Sequence, residues 1–399
     1  MNCLMSFAQR VTLILLAVCS AAPLFGQDFP ALELVGTATI PGDAADLSGD
    51  SALLENGEPR NRLGGFSALD YSGTGNQFAA LSDRGPDDGA VGYPCRVQTL
   101  EILIQPGKSE SVTATVVRTT LFTDSRGRQL TGSSAAIEPI GSIAHRFDPE
   151  GFRFGPMGRM FVSDEYGPVL LQFAASGREI FRFTLPEHMQ VRHPSPDRLM
   201  EVQVNDKGRA SNRGMEGLAV SRDGKSLVGL MQSPLLQDAE RTDDGLVSGR
   251  NCRLIQIDIE NGRTQEFVYQ LESVKNGNSE IVAYAPNQFL VLERDSLAGN
   301  KAAFRKLIHI DVTGATDVSD RDQLPSGDLP AEIVPAAKKI FLDLLDPQWG
   351  LAGESMPEKL EGLTFGPQLP DGRSTLLVGS DNDFESRDPS VIWVFALRR

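Results

Sequence analysis

The apolar positions of this chain fall into pairs of short runs joined by a turn, and the pairs recur. "GGFSAL" (Gly64–Leu69), "EGFRF" (Glu150–Phe154), "EGLAV" (Glu216–Val220), "EIVAY" (Glu280–Tyr284) and "EGLTF" (Glu361–Phe365) each open a unit. Each is followed by a turn and a second apolar run: "FAALSDR", "MFVSDE", "LVGLMQS", "FLVLER" and "LLVGSDN". Short runs rich in Val, Ile, Leu and Phe, bounded by Gly, Pro and Asp, read as strands joined in hairpins. Two further runs usually follow. They are "RVQTLEILI" and "VTATVVRTTLF" after Cys95, "VLLQFA" and "EIFRFTL" after Pro168, and "CRLIQIDI" and "TQEFVYQL" after Asn251. After Phe304 comes "KLIHIDV" with only a weak fourth strand, and the last unit ends on a third, "SVIWVFAL".

A unit of four strands repeating at about 65 residues in the middle of the chain, and more widely at both ends, predicts an all-β fold, a β-propeller of four-stranded blades. The count is five blades. Six is the alternative, because the divergent stretch from Asp320 to Pro357 leaves room for another. "LELVGTATI", ahead of the first unit, is expected to supply the missing outer strand of the last blade and close the ring. Within the divergent stretch, Ala337, Ile340, Phe341, Leu344 and Leu345 fall at i, i+3, i+4 spacing, with Lys338, Lys339 and Asp343 on the other face. That spacing predicts a helix, packed on the ring as part of an insert over 321–357. A second, polar insert is expected over 124–146. Residues 27–399 then form one propeller domain.

The first 26 residues read as a signal peptide, with Arg10 followed by an apolar stretch from Val11 to Ala22 that is too short to span a bilayer. Cleavage after Ala21 or after Gly26 fits equally. Cys19 in "LAVCS" lacks the small preceding residue of a lipoprotein site, since Val18 stands there. No other apolar run reaches spanning length, so the mature chain is expected to be secreted or periplasmic. With 39 glycines and 24 prolines the composition is that of many turns, and a formal net charge of -15 argues against nucleic acid as a partner. Cys95 and Cys252 remain after cleavage; they read equally as a disulfide or as two separate buried thiols.

In a propeller the start of each first strand and the end of each second strand converge on one face. That gathers Asp83, Arg84, Glu150, Asp164, Glu165, Glu216, Gln232, Glu280, Glu293, Arg294, Glu361, Asp381 and Asn382. Repeated glutamates read either as caps on backbone N–H groups or as ligands. Calcium takes six to eight oxygens in irregular geometry, and Glu150, Asp164, Glu216, Glu361, Asp381 and Asp383 are the candidate ligands. "SDNDFESRD" (Ser380–Asp388) alternates oxygens through Asp381, Asp383 and Glu385 without the spacing of an EF-hand; "DRGPDDG" and "DAERTDDG" are weaker versions. Arg84 and Arg294, at equivalent repeat positions, read as ion pairs or as phosphate-binding groups. Glu165 and His145 are the candidate catalytic residues, with Arg146 a further cation. Four histidines give little support to a soft-metal site. No G-x-S-x-G, H-E-x-x-H, phosphatase-type cysteine loop or His-Gly pair occurs, so metal-activated water is the most economical hydrolytic route.

"DPEGFRFGPMGRMFVSDEYGP", "NRGMEGLAVSRDGKSLVGLMQSPL" and "KLEGLTFGPQLPDGRSTLLVGSDNDF" together resemble the phytase-like family, whose domain is named for an esterase-like activity of phytase. The resemblance runs from about Gly64 to Phe395. It implies an exported bacterial propeller and a phosphoester hydrolase, and with the acidic face it leads to a calcium-dependent, monomeric enzyme acting on a small-molecule phosphate ester. Motifs of the calcium-dependent propeller phytases have no counterpart here. Gly64 stands where the repeat has Glu, and Ile281 where it has Gly, which favours one local site over a symmetric ring. The alternatives are a non-catalytic module that binds an envelope component and a metal-dependent lactonase or esterase.

Overall fold

In the computed structural model, which describes residues 29–137, 146–241 and 247–398, the repeated units fold into five four-stranded antiparallel sheets. Blade 1 comprises Phe66–Tyr71, Gln77–Ser82, Arg96–Ile104 and Val112–Leu121. Blade 2 comprises Pro149–Phe154, Met160–Asp164, Val169–Phe173 and Glu179–Phe183. Blade 3 comprises Met215–Val220, Ser226–Met231, Asn251–Asp258 and Thr264–Gln270. Blade 4 comprises Asn276–Ala285, Gln288–Asp295, Arg305–Asp311 and Ala337–Asp343. Blade 5 comprises Lys359–Gly366, Ser374–Asp381 and Ser390–Leu397, and takes its outer strand, Leu32–Ile40, from the start of the chain. That strand pairs with Thr37 opposite Trp393 and Leu32 opposite Leu397, so the ring closes as the sequence predicts. A sixth blade is absent from the described residues.

The strand sequences follow from this geometry. Each inner strand is sandwiched between two neighbouring blades and is buried on both faces, so it reads as a near-continuous apolar run, as Met160–Asp164 and Ser226–Met231 do. Outer strands such as Val112–Leu121 are only partly covered and carry polar residues. The core is accordingly five apolar layers, one between each pair of neighbours. Leu81 and Val97 meet Phe152 and Val162 between blades 1 and 2, and Leu290 and Phe341 meet Leu376 and Phe395 between blades 4 and 5.

The expected helix is not formed. Ala337–Asp343 is the fourth strand of blade 4, with Ile310 opposite Lys338 and Ile308 opposite Ile340, and Ile340 is 54% exposed rather than on a buried face. A register shift between Leu307 and Ile308 and the consecutive buried pair Phe341–Leu342 break the simple alternation, which imitates helical spacing. The strand won because the third strand of blade 4 presented an open edge whose backbone groups needed partners. Cys95 and Cys252 are free, buried thiols, and of the two readings the separate one holds. Residues 1–26, read from the sequence as a signal peptide and including Cys19, and His145 lie outside the described residues.

In all five blades the register between first and second strand shifts at the motif: between Phe66 and Ala68, Pro149 and Phe152, Met215 and Gly217, Asn278 and Glu280, and Leu360 and Gly362. A bulge re-aims the side chain it carries. In blades 2, 3 and 5 it spans the motif glutamate, Glu150, Glu216 or Glu361, and turns it out of the sheet plane; in blades 1 and 4 it spans Ser67 and Ser279 instead. The glycine that follows is a matter of room. A Cβ on Gly151 would sit 2.6 Å from Leu218 Cβ and 2.7 Å from the Glu216 carbonyl oxygen, so the inner strands of blades 2 and 3 touch through that glycine. Further along the channel Arg153 is a plug. Its guanidinium donates to the carbonyls of Leu69, Phe152, Ile281 and Leu363, joining blades 1, 2, 4 and 5, and pairs with Glu280 at 3.1 Å.

Candidate functional site

The five motif positions do not behave alike. Glu280 is fully buried, and its Oε1 accepts the N–H groups of Leu218 and Ile281 at 3.0 and 2.9 Å. With Arg153 as its counter-ion it is structural, and burial pushes its carboxyl up to about 8. In blade 1 the motif has no carboxylate; Gly65 N–H donates instead to Asn382 Oδ1 at 3.1 Å, so Asn382 holds the joint between blades 5 and 1. Glu150, Glu216 and Glu361 are the three that share the channel mouth, each at most 7% exposed. The Glu361 carboxylate accepts Arg294 Nη2 at 2.6 Å, and Glu216 accepts Gln232 Nε2 at 2.6 Å.

Glu150 accepts no hydrogen bond from any described residue. Burial, and then the charges of Glu216, Asp148, Glu165 and Glu361, push its carboxyl well above the usual carboxylate range. It is grouped with Asp148, fully buried two residues upstream. One oxygen of Asp148 accepts Arg84 Nη1 at 2.6 Å, while the other, Oδ1, is buried with no hydrogen-bond partner. Glu165 completes the group: Oε1 accepts Gly214 N–H at 2.6 Å, and Oε2 lies 3.6 Å from Arg84. Asp148, Glu150 and Glu165 each offer an oxygen, and these oxygens lie within 4.8 Å of one another.

A second group, Asp83, Asp381 and Asp383, has the same spacing but is partly compensated from within. Lys359 Nζ stands 3.3 Å from Asp381 and 2.7 Å from Asp383, and Asp83 accepts Gly85 N–H at 2.7 Å. Burial raises the Asp381 carboxyl to about 6. Glu385 stands apart from this group, so Ser380–Asp388 does not wrap as a ligand loop.

The other predicted residues are placed as follows. Asp164 spends both oxygens on the hairpin, accepting Asp148 N–H at 2.9 Å and Gly167 N–H at 2.7 Å, and so orients Asp148. Arg294 is committed to Glu361 and to Ser279 Oγ. Arg84 is committed to Asp148, Asp88 and Asn212. Glu293 accepts Tyr269 Oη, Glu272 N–H and Asn276 Nδ2, a structural knot away from the mouth. Asp238 is fully buried against Arg253, which also binds Glu266 beside His188; this too is internal bracing. Asp148 is the residue that sequence reasoning left out of its candidates. It opens the same segment as Glu150, but it precedes the repeat motif and has no counterpart in the other units, so alignment of the repeats could not find it.

A five-bladed propeller with buried carboxylates gathered at one mouth of its channel is the class of protein that the fold and site define. The chain belongs to the phytase-like family: the family profile, described as esterase-like activity of phytase, matches residues 61–384. A protein of Arthroderma benhamiae named "Uncharacterized secreted protein" is 27% identical over 369 residues, covering 72% of this chain and 69% of that one. Among solved structures, PorZ, an essential bacterial surface component of the type-IX secretion system of Porphyromonas gingivalis, is 12% identical over 79% of this chain at a TM-score of 0.38; this chain spans 31% of it. Virginiamycin B lyase from Staphylococcus aureus is 11% identical, with 92% of this chain and all of that one covered, at a TM-score of 0.33. Likenesses this remote carry no argument about chemistry. Among the described residues no helix is long and apolar enough to cross a membrane.

Proposed function

We propose that the protein is an exported phosphoesterase that works with calcium held at the channel mouth by Asp148, Glu150 and Glu165. The observation that carries this reading is the excess of carboxylates there: Arg84 is the one cation paired with the three among the described residues, one buried Asp148 oxygen has no hydrogen-bond partner, and the Glu150 carboxylate accepts no hydrogen bond. Buried polar atoms are ordinarily satisfied, and exceptions call for an ion or a functional reason. The donor set fits a hard cation, since all three groups are carboxylates and neither His nor Cys is among them. Bound there, calcium supplies the positive charge that an acidic protein needs to hold a phosphate ester and to stabilise charge developing on it.

The chain's own residues have separate tasks in this reading. Asp164 fixes the hairpin so that Asp148 points into the mouth, and Arg84 holds the second Asp148 oxygen and approaches Glu165. Glu165, read from the sequence as a catalytic group, serves here as a ligand, because one oxygen is taken by Gly214 and the other faces the cluster. Glu216 and Glu361, each already hydrogen-bonded, line the mouth and set its negative field. The family label supports an ester of phosphoric acid as substrate.

The test is hydrolysis of a panel of phosphate monoesters by the EDTA-treated protein, with and without added calcium, beside a panel of lactones. Calcium-dependent release of phosphate, abolished in the Asp148→Asn/Glu150→Gln double variant, is expected. Turnover unchanged by EDTA, or by the double variant, would remove the cation from the mechanism. Turnover of lactones alone would assign the site to a different ester.

A further inference from the structure

The carboxylate site does not account for one of the cations beside it. A small pocket of about 40 Å³ adjoins Glu165 and is lined by four guanidinium groups, those of Arg84, Arg146, Arg198 and Arg209. Three of them are neutralised. Arg84 pairs with Asp148 and Asp88, Arg198 with Asp88 at 2.8 Å, and Arg209 with Glu201 at 2.6 Å. Arg146 is different. No carboxylate lies within 4.0 Å of it among the described residues, its hydrogen bond is a single one from Nη1 to the Ser195 carbonyl at 3.1 Å, and its guanidinium stands 4.8 Å from the centre of the Tyr166 ring. Burial lowers its pKa, with Asp164 and Glu201 acting the other way from a distance. Arginine keeps five donors in a rigid fork, and among the described residues only one acceptor, the Ser195 carbonyl, meets those of Arg146. In a chain of formal net charge -15, a half-buried guanidinium without a counter-ion among the described residues is out of keeping with its surroundings.

Arg146 also lines a second and larger space, a groove of about 610 Å³ running past the exit of the same hairpin. The walls of that groove are mainly apolar, formed by Pro168, Val169, Phe183, Leu185 and Val191. The guanidinium therefore stands where a cramped polar pocket meets a roomy apolar one. Sites of this volume, apolar with a few polar anchors, are typical of small-ligand binding.

We propose that Arg146 grips the phosphoryl group of a phosphate monoester whose apolar organic group lies in the groove walled by Phe183, Leu185 and Val191. The proposal rests on the phosphoesterase reading for what happens next, but the grip itself does not require the cation. It names a substrate class: a singly phosphorylated molecule with an apolar or aromatic body. A polyanion is disfavoured, because one spare guanidinium faces many carboxylates, Asp164 and Glu187 of the groove among them.

The experiment is calorimetric titration of the full mature chain, in EDTA and again in calcium, with three probes: 1-naphthyl phosphate, inorganic phosphate and myo-inositol hexakisphosphate. In EDTA the naphthyl ester should bind more tightly than inorganic phosphate, and the hexakisphosphate most weakly. Arg146→Gln should weaken the naphthyl ester about tenfold or more, as loss of a charged hydrogen-bonded pair does. Its circular dichroism and its calcium-induced rise in unfolding temperature should match the parent. Val191→Trp, which narrows the groove without touching the guanidinium, should weaken the naphthyl ester and leave inorganic phosphate unchanged. Equal naphthyl phosphate affinity in Arg146→Gln and the parent overturns the proposal, as does tightest binding of the hexakisphosphate in EDTA. Arg146-dependent binding in a protein that shows no response to calcium would keep this inference and sink the cation reading.

Discussion

Glu150→Gln tests the physical premise of the site without reference to any substrate. In the absence of a cation the wild-type carboxylate must either keep a proton or face Asp148 and Glu165 across at most 4.8 Å. Two like charges at that distance repel by about 3.5 kcal/mol at an effective dielectric constant near 20. Because the folded carboxyl titrates above its unfolded value, the folded state is favoured fully below the unfolded pKa of about 4.3. That advantage is lost as pH rises towards and through the raised folded value. Without the cation, wild-type stability should therefore fall as pH rises above about 4.3, and Glu150→Gln should remove part of the slope. With unfolding entropy of roughly 2.1 cal/mol/K per residue over about 370 residues, 3.5 kcal/mol corresponds to about 4 °C. In EDTA at pH 8 the variant should melt about 4 °C above wild type; in calcium the order should reverse, since only wild type keeps all three ligands. Differential scanning calorimetry in both conditions decides it. A Glu150→Gln protein that melts below wild type in EDTA would show that the carboxylate is already compensated in the fold, and the argument from its isolation would fail.

Three further predictions rest on the scaffold. Gly151→Ala pushes a methyl group into Leu218 and the Glu216 carbonyl and should cost about 1–3 kcal/mol in urea unfolding, with a normal spectrum where it folds. Arg153→Met leaves Glu280 buried without its counter-ion and should cost about 3–5 kcal/mol; adding Glu280→Gln should recover a large part of that in the same denaturation series. Lys359→Met removes the cation between Asp381 and Asp383, so the Asp381 carboxyl should rise above about 6 and stability should fall more at pH 8 than at pH 5, measured by thermal unfolding.

The signal in the chain was strongest where a unit repeats. The paired runs from Gly64 to Asn382 gave strand positions, blade count and the outer strand from the start of the chain, because every inner strand meets the same requirement of burial on both faces. It was weakest where a strand lies at the edge of one blade. Ala337–Asp343 carries apolar residues compatible with two periods, and the choice between them was made by an unpaired neighbour about thirty residues away in the chain. The same division runs through the site. Glu150, Glu216 and Glu361 were legible as a repeated motif, yet Glu280, aligned with them in the sequence, follows the out-of-register Ser279 and serves as a brace for Arg153.

What the sequence by itself determined is the propeller and the set of acidic residues that its blades bring to one face, since repetition of a short amphipathic unit is a local property of the chain. What only the tertiary structure decided is which of those acids remain uncompensated. Asp381 has Lys359, Glu361 has Arg294, Glu280 has Arg153 and Asp148 has Arg84, whereas Glu150 has neither an ion pair nor a hydrogen bond from any described residue. The reason is that a carboxylate's chemistry depends on partners within about 4 Å, and in a ring of blades those partners come from a neighbouring strand or from another unit far away in the chain.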